Sequence, residues 1–125
     1  MKRGVVLLCG LLFLFGTVQA GGSWRPVAKG VARGDLAHVS LSGDAPAPTA
    51  LRLAVDAEPR QLVDVSWRVA CFTPDFDYAT ESRDFEATTP VERNLPVTID
   101  NPEYCTVYAS VFNDDGKLMV KVQHR

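Results

Sequence analysis

Alternation of apolar and polar side chains dominates the chain from Leu36 onward. Segments with this period of two are residues 37–42, 51–57, 63–71, 95–99, 105–111 and 118–122. Such alternation is typical of β-strands that bury one face and leave the other in water. From residue 63 to residue 111 the apolar positions are odd-numbered, so these side chains are expected to point inward. The pattern predicts an all-β domain without a helix.

Turn-forming residues separate the predicted strands. Residues 43–49 (GDAPAPT) are expected to be a connector outside the sheets, because proline cannot donate to a strand ladder. Residues 113–116 (NDDG) predict a hairpin turn between the last two strands, since Asn, Asp and Gly tolerate positive φ. Residues 72–94 are predicted to form a long connector. Six to seven short strands at this spacing favour an antiparallel β-sandwich.

The first twenty residues differ in kind from the rest. A basic start (Met1-Lys2-Arg3), an apolar run over residues 5–15 and the small-residue end Val18-Gln19-Ala20 predict a signal peptide that is cleaved after Ala20. The apolar run is shorter than the roughly 20 residues that span a bilayer. Residues 21–34 are rich in glycine and are expected to be a flexible arm before a domain at 35–125. The chain is therefore predicted to be secreted or periplasmic.

Charge and cysteine content narrow the classes of function. Loss of Lys2 and Arg3 with the signal changes the formal net charge from −2 to −4, which argues against nucleic acid as a partner. No later stretch is apolar enough for a transmembrane segment. Two cysteines remain, Cys71 and Cys105, and an even pair in an exported chain predicts a disulfide. The bridge would join neighbouring strands. No cofactor is expected.

Two features of the sequence resemble immunoglobulin-like domains. Trp67 is expected to face the core from the third predicted strand, and residues 100–104 (DNPEY) are similar to the tyrosine corner that precedes the penultimate strand of that fold. The resemblance covers roughly residues 36–124 and implies an immunoglobulin-like β-sandwich. The pattern departs from the family at the cysteines: Cys105 follows Tyr104 directly, and residues 51–57 contain no cysteine. The resemblance implies an architecture and no function.

Catalytic residues are scarce. His38 is expected on an outward strand position and His124 lies next to the C-terminus, and neither is placed by the sequence beside a nucleophile. A hydrolase using carboxylates of the connector is the third-ranked possibility. The second is a calcium-stabilised structural or adhesion domain, because calcium sites gather several oxygen ligands. The carboxylates considered for that metal site are Asp75, Asp77, Glu81 and Asp84.

The first-ranked function is a non-enzymatic binding or accessory module that acts through the outer face of the last two strands and the connector 72–94. Aromatic and arginine side chains, which interfaces favour, are concentrated there. The candidate binding residues are Tyr104, Tyr108, Phe112, Arg68, Phe76 and Tyr78. The expected partner is another protein or an envelope or extracellular component, and the oligomeric state stays open. The open alternative is that the connector folds over this face and buries its rings.

Overall fold

A computed structural model describes residues 23–125, and within this range the protein consists of eight β-strands and no helix. The predicted signal peptide at 1–20 lies outside the described residues. The strands are β1 (Arg25–Arg33), β2 (His38–Pro46), β3 (Leu51–Glu58), β4 (Leu62–Phe72), β5 (Tyr78–Thr88), β6 (Val91–Leu95), β7 (Tyr104–Phe112) and β8 (Lys117–His124). No helix in the described part of the chain is long and apolar enough to cross a membrane.

The strands form two antiparallel sheets of four, in the orders β1-β8-β3-β6 and β2-β7-β4-β5. The prediction of an all-β antiparallel sandwich is confirmed, with eight strands instead of six to seven. Consecutive strands lie in different sheets except β4 and β5, which form a hairpin. This interleaved order is that of a jelly roll, whereas the immunoglobulin-like arrangement suggested by Trp67 and residues 100–104 groups the strands differently.

The core lies between the two sheets and follows the predicted phase. Odd-numbered residues of β4 and β7 are buried, and Leu118, Val120 and Val122 fill the facing positions from β8. Leu51, Leu53 and Val55 of β3 complete the centre of the second sheet. The inward positions of the central strands are therefore apolar throughout, which is the burial pattern that stabilises a sandwich.

The segment predicted as a flexible arm contains β1, so that prediction is wrong for Arg25–Arg33. This strand pairs along its length with β8. Gly30 lacks a side chain for a packing reason, because a Cβ atom there would lie 2.9 Å from Val39 Cγ1 and 3.0 Å from Leu41 Cδ2, and its neighbours in phase are Ala28 and Ala32. The apolar alternation that marks a half-buried strand is therefore absent from β1.

The connector 72–94 is likewise mostly strand. Residues 73–77 are the turn of the β4–β5 hairpin, and β5 and β6 occupy most of the rest. The predicted strand at 95–99 is displaced: β6 ends at Leu95, because Pro96 has no N–H for the ladder. Residues 43–46, predicted as connector, extend β2. Pro46 is tolerated because β2 is an edge strand.

The predicted disulfide is confirmed and joins neighbouring strands of one sheet. Cys71 on β4 stands directly opposite Cys105 on β7, with their Cα atoms 4.0 Å apart. Both residues are fully buried. The bridge therefore fixes the register between the two central strands of the β2-β7-β4-β5 sheet.

The turn at 113–116 connects the two sheets and does not form a hairpin, because β7 and β8 belong to different sheets. The Gln61 side chain ties this turn to the β3–β4 turn: its Nε2 donates to the carbonyls of Pro59 (2.9 Å) and Asp115 (2.6 Å), and its Oε1 accepts from the amides of Asp114 and Asp115. Gly116 has a φ of 95°, and a Cβ there would collide with the Glu58 carbonyl.

Candidate functional site

The outer face of the β2-β7-β4-β5 sheet carries five of the six predicted binding residues. Tyr104, Tyr108 and Phe112 project from β7, Arg68 from β4 and Tyr78 from β5, all in the even phase that points away from the core. Phe76 lies in the β4–β5 turn at the end of the same face. The structure therefore brings together side chains that are up to 44 positions apart in the sequence, from 68 to 112.

This face is open to solvent. Tyr108 is 42% exposed and Phe112 46%, while Tyr78 reaches 65% and Phe76 87%. The alternative in which the connector folds over the rings is wrong, because β5 pairs edge to edge with β4 and widens the sheet instead of covering it.

A shallow depression of about 420 Å³ runs across the middle of the face, and we call it the central groove. Its outward-pointing lining is five serines, one arginine, one carboxylate and one tyrosine: Ser40, Ser42, Ser66, Ser82, Ser110, Arg68, Asp84 and Tyr108. The register aligns them in two rows, Ser42-Tyr108-Arg68-Ser82 and Ser40-Ser110-Ser66-Asp84. The groove is thus rich in hydroxyl groups and carries one charge of each sign.

Arg68 and Tyr108 form one unit in the groove. The guanidinium carbon of Arg68 lies 4.8 Å from the centroid of the Tyr108 ring, within the range of a cation–π interaction. The two residues are also direct cross-strand neighbours. The contact holds the long arginine side chain over the sheet, so that its donors stand ready at the groove.

Four aromatic residues gather where β4 meets β5 and β7 begins, and we call this cluster the aromatic tip: Phe72, Phe76, Tyr78 and Tyr104. Phe72 stacks on Tyr104 with ring centroids 4.8 Å apart and on Tyr78 at 5.6 Å. The tip is displaced from Tyr108 by four residues along β7, which is about 14 Å at the rise of an antiparallel strand. It is therefore a surface separate from the central groove.

The predicted face was partly misassigned. The last two strands were expected to share this face, but β8 lies in the other sheet and β2 takes its place beside β7. The candidate surface therefore belongs to β2, β7, β4 and β5 and not to the last two strands. Sequence reasoning missed Ser40 and Ser42 for this reason, although the even-numbered polar residues of β2 were a signal that could have identified them. Ser82 was missed because β5 was predicted as a connector, and Asp84 was considered only as a calcium ligand.

The register brings a histidine beside a serine, which the sequence analysis did not foresee. His38 Nε2 and Ser110 Oγ are 2.8 Å apart, and the His38 ring stacks on Phe112 with centroids 4.0 Å apart. A nucleophile–base pair ordinarily needs a third group to orient the base. Within residues 23–125 the only hydrogen bond of the His38 side chain is the one to Ser110.

The carboxylates considered for calcium are not brought together. Asp75 and Asp77 lie in the β4–β5 turn, whereas Glu81 and Asp84 lie on β5 and face opposite sides of it. Seven residues of extended strand separate Asp77 from Asp84, about 24 Å. In the part of the chain that the structure describes, no three His, Cys, Asp or Glu side chains are arranged to hold a metal ion.

A pair of carboxyl groups lies beyond the groove, where Asp64 on β4 stands opposite Glu86 on β5. The pKa of Glu86 is raised above 4.5, first because Asp64 accepts a hydrogen bond from the protonated Glu86, and second because the two charges repel. Burial contributes least. The folded protein therefore holds a proton at Glu86 more tightly than the unfolded chain does.

This linkage gives a testable pH dependence. A carboxyl group whose pKa is raised on folding stabilises the fold at low pH, and that stabilisation is lost as the pH rises through the folded-state pKa. We expect the difference in melting temperature, Glu86→Gln minus wild type, to become more positive as the pH is raised from 4 towards 7. Glu81→Gln, on the same strand but facing away from Asp64, is the control. Parallel profiles for Glu86→Gln and wild type would contradict the prediction.

No family model matches the chain, and no curated protein matches it either. Among solved structures, a carbohydrate-binding module of the β-sandwich superfamily shares 13% identity, with a TM-score of 0.40, over 80% of this chain, which spans 53% of that one. A carbohydrate-binding module solved with β-1,4-galactotriose shares 14%, with a TM-score of 0.44, over 83% of this chain and 90% of that one. The enzymatically active domain of a bacteriophage CBA120 tailspike protein shares 8%, with a TM-score of 0.41, over 82% and 18%. These likenesses concern the β-sandwich architecture alone.

Proposed function

We propose that the protein is an exported, non-enzymatic binding module that holds a neutral carbohydrate chain in the central groove. The observation that carries the proposal is the lining of this groove. Five serine hydroxyls surround a single Arg68–Tyr108 unit and a single carboxylate, Asp84, on an open sheet face. The ligand must therefore offer many hydrogen-bonding groups and little net charge.

A neutral carbohydrate has many hydrogen-bonding groups and no net charge. Sugar hydroxyls both donate and accept hydrogen bonds, as serine hydroxyls do. The Arg68 guanidinium donates to two neighbouring ligand oxygens at once, and the Asp84 carboxylate accepts from hydroxyl groups across the groove. The Tyr108 ring supplies the apolar surface for the C–H groups of a sugar, while its hydroxyl offers a further hydrogen bond.

The surroundings of Ser110 favour binding over catalysis. β7 lies between β2 and β4, so its backbone N–H groups are committed to ladders on both sides. Acyl transfer at Ser110 requires free N–H donors for the oxyanion, and a central strand offers none. The Ser110–His38 pair is better explained as a polar contact on the sheet surface.

Two features that agree with each other support export. The chain begins with a segment that has the composition of a signal peptide, and the bridge between Cys71 and Cys105 is of the kind that persists in oxidising compartments. A secreted or periplasmic binding module would meet glycans of the envelope or the surrounding medium.

Affinity electrophoresis against a panel of neutral polysaccharides tests the binding proposal. We expect at least one neutral polysaccharide to retard the wild-type protein. Tyr108→Ala and Arg68→Ala are each expected to weaken that binding about tenfold, because each removes half of the central unit. Arg33→Ala is the matched control, since this exposed arginine lies on β1 in the other sheet. It should bind as the wild type does.

Three results would contradict the proposal. Two concern binding: retardation by no neutral polysaccharide in the panel, and equal retardation of the Tyr108→Ala variant. The third concerns the non-enzymatic part: hydrolysis of p-nitrophenyl acetate above the buffer rate that disappears in the Ser110→Ala variant would show that the Ser110–His38 pair is a working nucleophile and base.

A further inference from the structure

We propose that the aromatic tip docks a basic segment of a protein partner, independently of any ligand in the central groove. The tip comprises Phe72, Phe76, Tyr78 and Tyr104. Three observations carry the inference: the exposure of its rings, the charge around it, and the absence of the cation that accompanies other rings on this protein.

The most exposed aromatic ring of the tip is held outward by its turn. The Thr73 amide donates to the Asp77 carbonyl at 2.9 Å, and the Phe76 amide donates to the Thr73 carbonyl at 3.0 Å. Phe76 has a φ of 69°, which is unusual for a bulky residue, and its side chain is 87% exposed. Because the Phe76 ring is almost fully exposed, a partner can bury nearly all of its apolar surface. The hydrogen bonds already order the turn, so binding does not have to do so.

Negative charge surrounds the rings. Asp75 and Asp77 flank Phe76 in the turn, and Glu103 precedes Tyr104. The Glu103 amide donates to the Phe72 carbonyl at 2.8 Å, so the 100–103 segment stands beside the tip. Residues 44–47, 69–82 and 94–107, which supply the turn and strand ends next to the tip, contain no lysine or arginine. Arg52 and Arg125, at the same end of the sandwich, lie against Trp24 on the side of the other sheet. The surface is complementary to positive charge and repels phosphate and other anions.

Cations accompany aromatic rings elsewhere on this protein. The pairs are Arg52 and Arg125 over Trp24 at 4.2 and 4.6 Å, Arg68 over Tyr108 at 4.8 Å, and Arg93 over Phe85 at 4.8 Å. Within residues 23–125, no lysine or arginine stands over a ring of the tip, where Phe72 stacks only on Tyr78 and Tyr104. An arginine or lysine from outside would provide the same contact, which strengthens when it is desolvated at an interface.

The tip fits a peptide segment better than a single small cation. Its rings and carboxylates extend across the starts and ends of three strands, β4, β5 and β7, and form no enclosed pocket. Several cations spaced along one chain can contact several of these groups at once, and their apolar stems can cover the rings. A basic segment of a protein supplies such an arrangement.

Fluorescence anisotropy with a labelled hexa-arginine peptide tests the inference, with hexa-glutamate as the negative probe. We expect the wild type to bind hexa-arginine only, and the Phe76→Ala/Tyr78→Ala variant to bind it at least about fivefold more weakly. The Phe76→Asn/Tyr78→Ala variant should bind as weakly as the first variant. Asparagine tolerates the positive φ at this position and therefore keeps the turn. Asp75→Asn/Asp77→Asn should weaken binding to a similar degree.

The matched control separates the tip from general electrostatic attraction. Asp35→Asn/Glu58→Gln removes the same charge from the opposite end of the sandwich and should change the affinity less than twofold. Equal weakening by this control, undiminished binding by both ring variants, or no binding of hexa-arginine by the wild type would each overturn the inference. Tyr108→Ala should bind the peptide normally, so a failure at the central groove and a failure at the tip are distinguishable.

Discussion

Replacing Cys71 and Cys105 together by alanine is expected to lower the free energy of unfolding by about 4 kcal/mol. The bridge connects residues 34 positions apart, and closing a loop of this length restricts the unfolded chain by roughly that amount on the chain-entropy estimate. Domains of this size have a total stability of about 5–15 kcal/mol. The variant should therefore unfold at a much lower urea concentration than the wild type, and chemical denaturation followed by circular dichroism measures the difference.

The double substitution is preferable to either single one, because a lone cysteine is free to pair between molecules. Val69 and Val107 provide the matched control: they lie directly opposite each other on the same two strands, two residues from the bridge, and are equally buried. Val69→Ala/Val107→Ala removes packing and keeps the bridge, so its stability should still fall on reduction with dithiothreitol, whereas that of the double cysteine variant should not respond. A wild-type midpoint that is unchanged after full reduction would contradict the prediction.

The inward-facing residues could be predicted from the sequence because β4, β7 and β8 are each buried on one side over their whole length. Where a strand is half buried, every second residue must be apolar, and a shift of one position would expose the entire set. Cys71 and Cys105 share this phase with Trp67 and Val107, so the alternation and the bridge supported the same parsing. Because the odd-numbered residues of β4 and β7 face inward, their even-numbered residues must face outward.

Two strands were not predictable in the same way. In β5 the inward phase includes Glu81 and Arg83, because an edge strand extends beyond the core and its charged side chains reach water on either side. In β1, Gly30 occupies a position where a side chain would strike β2. Each strand lacks the apolar alternation for a physical reason, so periodicity alone assigned a connector to one and a flexible arm to the other.

The sequence also did not predict which strands lie beside β7 on the candidate surface. A short Asn-Asp-Asp-Gly turn forms equally well within a hairpin and between two sheets, and only the packing of the whole sandwich decides which. Here the turn at 113–116 crosses between sheets, so β8 leaves the face and β2 joins it. The prediction consequently had the correct β7 residues and the correct neighbour Arg68 on β4, but the wrong strand on the other side, and the groove serines on β2 and β5 remained unassigned.

Substitution of Trp67 by alanine is the second large effect that we expect, a loss of about 3–5 kcal/mol in the free energy of unfolding. Trp67 stands at the middle of β4 between Ala109 on one side and Arg83 on the other, and only 7% of it is exposed. Its removal leaves a cavity between the sheets that the flanking strands cannot close, since both of their registers are fixed by backbone ladders.

The chain contains two tryptophans, and the other one is the control for this prediction. Trp24 lies outside the core cluster, against Arg52 and Arg125, so Trp24→Ala should lose only about 1 kcal/mol. Trp67→Phe should recover more than half of the loss, because a ring still fills the space. Urea denaturation followed by circular dichroism measures all three. Equal destabilisation by Trp24→Ala and Trp67→Ala would place the core elsewhere and remove the basis for the outward phase of the binding face.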